Sequence, residues 1–191
     1  MTLPAVKLAT YADLEKLPES DRVELIDGVI VAMPAPLPRH SKTAGAVRRF
    51  IGGPYDDDDG YGGPGGWWIF AEVDVLLNLH NVVRPDLSGW LREHLPDPGD
   101  VRPIGVTPDW ICEVISPSNA AHDRVKKRRM YAAAGVSYYW LIDPAERVLE
   151  ALRLQVGKWE EVGVYDDTAT SVRIAPFADV ELDVSRLFLP R

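Results

Sequence analysis

PDWICEVISPSNAAHDRVKKRRMYAAAGVSYYWLIDP, residues 108–144, decides the fold. It opens with an apolar run, Trp110-Ile111-Cys112-Glu113-Val114-Ile115, and closes with a second one, Ser137 to Ile142, ended by Asp143-Pro144. Between them the spacing from Ser118 to Ala134 is helical, with Ser118 or Asn119 placed to cap the helix and Gly135 to stop it. Two near-continuous apolar strands joined by a helix make a right-handed crossover, with both strands in the middle of a sheet. The same stretch poses a chemical problem. Side chains alternate along a strand, so Glu113 shares a face with Ile111 and Ile115, and that face should pack on a helix. An unpaired carboxylate there is costly as an ion or must take up a proton.

Upstream, WWIFAEVDVLLNL (67–79) and NVVRPDLSGWL (81–91) read as strands. Downstream, residues 148–154 and 158–165 are strand-like. Residues 11–18 suggest a short helix, and VELIDGVIVAM (23–33) a hairpin turning on Asp27-Gly28. Residues 40–51 carry Ala44, Val47 and Ile51 at helical spacing with basic residues between. GGPYDDDDGYGGPGG, residues 52–66, holds seven glycines, two prolines and four aspartates, which predicts a mobile, solvated loop with no regular element. Its acids lack the ligand spacing of a calcium loop. The expected class is α/β (α+β): a mixed central sheet flanked by helices, with an additional amino-terminal hairpin and carboxyl-terminal strands, in a single domain over residues 1–191.

Composition narrows the function classes. The hydrophobic fraction of 46% and charged fraction of 26% are those of an ordinary globular chain. No run approaches a membrane span, and the first twenty residues lack the pattern of a secretory signal, which makes the cytoplasm the expected location. The single cysteine, Cys112, excludes an intrachain disulfide and reads as a small core residue. A net charge of -8 argues against non-specific coating of nucleic acid, yet Arg124, Lys126, Lys127, Arg128 and Arg129 cluster in one stretch.

Asp86 supplies a second acid in an apolar setting, within Val82-Val83-Arg84-Pro85-Asp86-Leu87. If neighbouring strands bring Asp86 and Glu113 together, like charges repel unless a cation lies between them, and Mg2+ or Mn2+ suits such oxygen ligands. In the following helix Asp123, Lys127 and Tyr131 are spaced four apart and share a face. Lys127 is the cation chosen to hold a nucleophile and offset charge on a phosphate. Structural alternatives stand beside each choice. Asp123 with Lys127 can be a simple helical ion pair, Asp86 a turn or capping residue, and Glu113 a core partner of Arg84 or another base.

ELIDG at 24–28, the prolines before His40, RPD at 84–86, PDWICEVISPS at 108–118, D-x-x-x-K at 123–127 and YAAAGVSYYWLIDP at 131–144 together resemble the Uma-two-like restriction-endonuclease family. That family is a branch of the PD-(D/E)XK nuclease superfamily, and the resemblance covers nearly the whole chain. ADVELDVSRLF at 178–188 is similar to the family's closing strand and terminus. The resemblance implies Asp86 and Glu113 as metal-binding acids, with the backbone carbonyl of Val114 as a further ligand. The superfamily's usual lysine position is Ile115 here, and Lys127 matches the family's shifted base. Glu24, His40 and Asp123 are auxiliary candidates, although a lone histidine near a helix start is more often structural.

The implied activity is Mg2+- or Mn2+-dependent endonucleolytic hydrolysis of phosphodiester bonds of nucleic acid, with DNA the expected substrate, by a metal-activated water. Arg48, Arg49, Arg124, Lys126 and Arg128 would contact the nucleic-acid backbone. The alternative is a catalytically silent module of the same fold that binds nucleic acid or protein. A homodimer is compatible with low-polarity edge strands, since cutting both strands benefits from two sites.

Overall fold

The computed structural model describes residues 7–18, 20–57, 59, 61–116 and 122–191, without the side chains of 122–124. Among these residues ten strands form two sheets. A six-stranded sheet is ordered β10-β9-β8-β7-β6-β3, built from β3 (Trp67–Ala71), β6 (Leu87–Leu91), β7 (Trp110–Val114), β8 (Tyr138–Asp143), β9 (Val148–Gln155) and β10 (Lys158–Asp166). A four-stranded sheet is ordered β2-β1-β5-β4, from β1 (Val23–Ile26), β2 (Val29–Ala32), β4 (Val75–Asn78) and β5 (Asn81–Val83).

The stretch that opened the sequence reading forms the centre. β7 and β8 pair in parallel, Ile111 beside Tyr139 and Glu113 beside Leu141, while the other pairings of this sheet are antiparallel. Every residue of β7 is buried, as expected of a strand covered on both faces. The connecting helix has a π-helical segment, His122–Lys127, that continues into α3 (Arg128–Ala134). It ends at Gly135, which caps the helix at φ 83°, a conformation that favours glycine. Its expected start at Ser118 or Asn119 lies outside the described residues.

Alternation along the central strands splits the apolar residues into two clusters. On one face, Trp110, Cys112, Trp140 and Ile142 pack with Ala46, Val47, Ile51 and the carboxyl-terminal segment. Phe177 is the hub, its ring 4.8 Å from Tyr55 and from Trp110 and 4.9 Å from Trp67. On the other face, Ile111, Ile115, Tyr139 and Leu141 pack with Tyr131 of α3 and with Ile26, Val75 and Val83 of the smaller sheet. Gly89 in β6 admits this layering, because a Cβ there would stand 3.1 Å from the Trp110 ring.

The hairpin forms as read, with Asp27 and Gly28 both at positive φ, the turn that matches strand twist. It is a working part of the second sheet, Leu25 pairing with Val82. α1 (Tyr11–Leu14) is shorter than expected and stops well before Pro18.

Two expectations are corrected. Residues 52–57 are not loop: α2 (Pro38–Val47) runs into a π-helical segment, Arg48–Asp57, that passes through Gly52 and Pro54. Burial of Tyr55 against Phe177, with the backbone N–H of Asp179 donating to its hydroxyl at 3.0 Å, holds this segment. Among the described acids of the run, Asp57 is paired by both terminal nitrogens of Arg48 and Asp59 by Arg92. The 178–188 segment is likewise no strand beyond a single bridge between Val172 and Leu182. It ends in a 3-10 turn, Val184–Leu187, capped by the Asp183 side chain. No helix among the described residues is long and apolar enough to cross a membrane.

Candidate active site

Glu113 lies on the α3 face of β7 and is only 4% exposed. The helix that follows compensates it. Lys127 ends the π-helical segment and Tyr131 lies one turn further on, so both reach the same carboxylate. The Lys127 ammonium donates to Glu113 Oε1 at 3.0 Å, and the Tyr131 hydroxyl donates to the same oxygen at 2.5 Å. Two side-chain donors thus offset the charge of this buried carboxylate. Arg84, the core partner considered for Glu113, turns instead to Asp74.

Glu24 arrives from the second sheet. Its place in β1, beside β5, brings Oε1 to within 2.9 Å of Lys127 Nζ and 2.8 Å of the Arg84 backbone N–H, which both donate to it. Lys127 is therefore buried between two carboxylates, each 4% exposed. Burial, and then the charges of Glu113 and Glu24, push the Tyr131 phenol well above its usual pKa, so it remains a donor.

Asp86 precedes β6. Because β6 runs antiparallel to β7 with Leu87 opposite Cys112, Asp86 arrives at the carboxyl end of β7, where its Oδ2 accepts the Val114 N–H at 2.7 Å. His40, near the start of α2, places Nε2 3.2 Å from Asp86 Oδ1. A groove of about 280 Å³, lined by His40, Ser41, Arg48, Glu72 and Asp86, opens beside this pair.

The structure thus gathers Glu24, Asp86, Glu113, Lys127, the Val114 backbone and His40 at one end of β7. Asp123 and Arg124 fall among the side chains outside the described set. Two of the expected nucleic-acid contacts are engaged elsewhere: Lys126 with Asp27 at 3.3 Å and Arg128 with Glu150 at 3.2 Å. Arg48 borders the groove but is held by Asp57, while Arg49 is exposed beside the Phe50 ring. Tyr131 joins the site beyond the residues singled out by the sequence, although its four-residue spacing from Lys127 carries the signal.

Among the described residues no group of three or more His, Cys, Asp or Glu side chains is assembled to hold a metal. The donors of the candidate set, the Asp86 and Glu113 carboxylates with the Val114 carbonyl, are all hard oxygens on adjoining segments, which fits Mg2+ or Mn2+ in kind.

A sequence model of the Uma2 family, described as "putative restriction endonuclease", matches residues 8–185. No curated protein matches the chain. A crystal structure described as "a putative nuclease belonging to DUF820" from Anabaena variabilis superposes with a TM-score of 0.70 at 23% identity, covering 94% of this chain and 97% of that one. A likeness at this level establishes the fold, a mixed α and β architecture. The DrdV–DNA complex, solved by cryo-electron microscopy, aligns with 67% of this chain and 12% of its own, at 18% identity and a TM-score of 0.33.

Proposed function

The chain belongs to the Uma2 family, and from that premise we propose that it is a metal-dependent endonuclease that hydrolyses phosphodiester bonds of nucleic acid, with DNA the first substrate to test. The observation that carries this reading is the buried Lys127 ammonium beside Glu113, with Asp86 brought to the same strand end by β6. Asp86, Glu113 and the Val114 carbonyl would hold Mg2+ or Mn2+. When bound, the ion would supply Lewis-acid stabilisation of the phosphate and lower the pKa of the attacking water.

The side chains do the rest. Lys127, a donor with no acceptor capacity, would orient the nucleophile and offset charge growing on the phosphate oxygens. Tyr131 holds Glu113 in place through its hydroxyl, and Glu24 fixes the Lys127 ammonium from the opposite side. His40, against Asp86, can pass a proton or hold Asp86 in position.

The test compares wild type with Asp86→Asn and Glu113→Gln for Mg2+- or Mn2+-dependent nicking of supercoiled DNA. Calorimetric titration of each metal and circular dichroism are run on the same samples. The reading expects nicking and metal binding in wild type and loss of both in folded variants. Retained cleavage in both variants would remove these acids from the mechanism.

One observation favours a second reading, a catalytically silent module that binds nucleic acid. Lys127 and Tyr131 already occupy Glu113 Oε1, so the acid is satisfied without a metal. Metal-independent DNA binding without products is the outcome that would select it.

A further inference from the structure

No Asp or Glu stands between Asp27 and Asp56, in a chain with 29 acidic and 21 basic residues. That stretch carries α2 and the start of the π-helical segment, where Arg39 and Arg49 are exposed and Lys42 is half-buried. The carboxyl-terminal segment adds a fourth cation, the exposed Arg186. Lys42 Nζ donates to the Arg186 carbonyl at 3.2 Å and Thr43 Oγ1 to the Leu187 carbonyl at 2.9 Å, which ties this segment to the helix. The guanidiniums of Arg186 and Arg49 stand 4.4 and 5.6 Å from the centroid of one ring, Phe50. Among the described residues none of Arg39, Lys42, Arg49 and Arg186 has a carboxylate partner.

Like charges gathered on one face repel, and the acids of the adjoining segments face other groups. Asp57 pairs with Arg48, Asp179 accepts from the Tyr55 hydroxyl, Glu181 pairs with Arg173, and Asp183 accepts from the N–H and hydroxyl of Ser185. A guanidinium laid over an aromatic face keeps its N–H edge available to an oxyanion. The patch also lies on the helix that borders the candidate site. His40, next to Arg39, reaches Asp86, and Ser41, Ala44 and Gly45 line the groove beside that acid. Ser41 and Gly45 share the exposed side of α2 with Lys42, and a Cβ on Gly45 would meet nothing within 4 Å. The helix surface is low where a chain would pass from the cations to the groove.

We propose that this patch seats the phosphate backbone of a nucleic acid: Arg39, Lys42, Arg49 and Arg186 hold phosphates on one flank of α2, and the strand crosses Ser41 and Gly45 to the groove beside Asp86. That it delivers a strand to Asp86 rests on the nuclease reading; the phosphate contacts do not. The net charge of -8 does not oppose this seat, because exposed charges beyond a Debye length of about 8 Å are largely screened. Each phosphate contact adds about 0.9 to the slope with which the logarithm of affinity falls with the logarithm of salt concentration.

The experiment titrates the full chain, in EDTA, into a fluorescently labelled DNA duplex across a potassium chloride series and follows anisotropy. Expected is a salt slope reduced by about one in each of Lys42→Gln, Arg49→Gln and Arg186→Gln, and about tenfold weaker binding when Lys42→Gln and Arg186→Gln are combined. Lys158→Gln, which removes an exposed lysine of the edge strand β10, should leave the slope unchanged. Equal slopes in wild type and the three patch variants, or an equal loss in Lys158→Gln, overturns the proposal. Binding to phosphatidylserine vesicles but not to DNA assigns the patch to a lipid surface and overturns it too. DNA nicking with Mg2+ on the same samples separates the two readings. Patch-dependent binding by a wild type that cuts nothing under any metal keeps the seat and removes the nuclease. Metal-dependent cutting with wild-type slopes in every patch variant does the reverse.

Discussion

Lys127 bears directly on the stability of the candidate site. One ammonium serves two buried carboxylates, so its removal leaves Glu24 and Glu113 without their shared cation. Breaking a buried pair by deleting one partner costs about 3–5 kcal/mol, and Lys127→Met should show that loss in urea unfolding at pH 7. Adding Glu113→Gln should recover part of it, since the double variant buries one fewer uncompensated charge; a loss below about 1 kcal/mol in the single variant would mean that the pair is solvated. Tyr131 gives a pH test. Its folded pKa is raised by burial, so above the unfolded value the native state holds the proton more tightly and stability falls as pH rises. That contribution is complete below about pH 10, the pKa of an unperturbed phenol. Between about pH 9.5 and 11.5 the urea midpoint of wild type should therefore drop more steeply than that of Tyr131→Phe, and parallel slopes would show that Tyr131 titrates alike in both states.

At the scale of elements, the Arg48–Asp57 segment is the sharpest test of packing against composition. Tyr55 is 2% exposed and interlocked with Phe177, so Tyr55→Ala should cost about 3–5 kcal/mol in urea unfolding, as for other large aromatic truncations in a core. A solvated loop would lose less than about 0.5 kcal/mol. The element was illegible in the sequence for a physical reason. Glycine and proline report local preference, whereas this helix is held by a contact with Asp179, 124 residues away along the chain. β7, α3 and β8 were legible because apolar period, a glycine stop and a short crossover all agree there. Glu113 and Lys127 were legible for a related reason, a carboxylate in an apolar strand followed by a base at helical spacing from Tyr131. The Asp74 cluster was not, because its partners Arg84 and Arg102 are 10 and 28 residues away and no periodicity joins them. The basic helix was legible only in part. Its charge was visible, but the pairing of Lys126 with Asp27 and of Arg128 with Glu150 arises only when the sheets assemble.

At the scale of the whole molecule, the two apolar clusters lie on opposite faces of one sheet and draw on the same strands. Trp110 and Cys112 of β7 point into one, Ile111 into the other, and β8 divides Trp140 from Tyr139 in the same way. Neither cluster can lose its packing without releasing a strand that supports the other, which predicts one cooperative unfolding unit across residues 8–188. Cys112 offers a direct probe. It is the chain's only cysteine, fully buried, and burial first, then Asp86 and Glu113, hold its thiol well above the usual pKa, so the native protein should be inert to thiol reagents. Pulse labelling of Cys112 through a urea titration should trace the same midpoint as far-UV circular dichroism, the signature of a single transition. Labelling that rises well before the loss of ellipticity would mean that the cluster around Phe177 opens independently, and the chain would then consist of two stability units sharing a sheet.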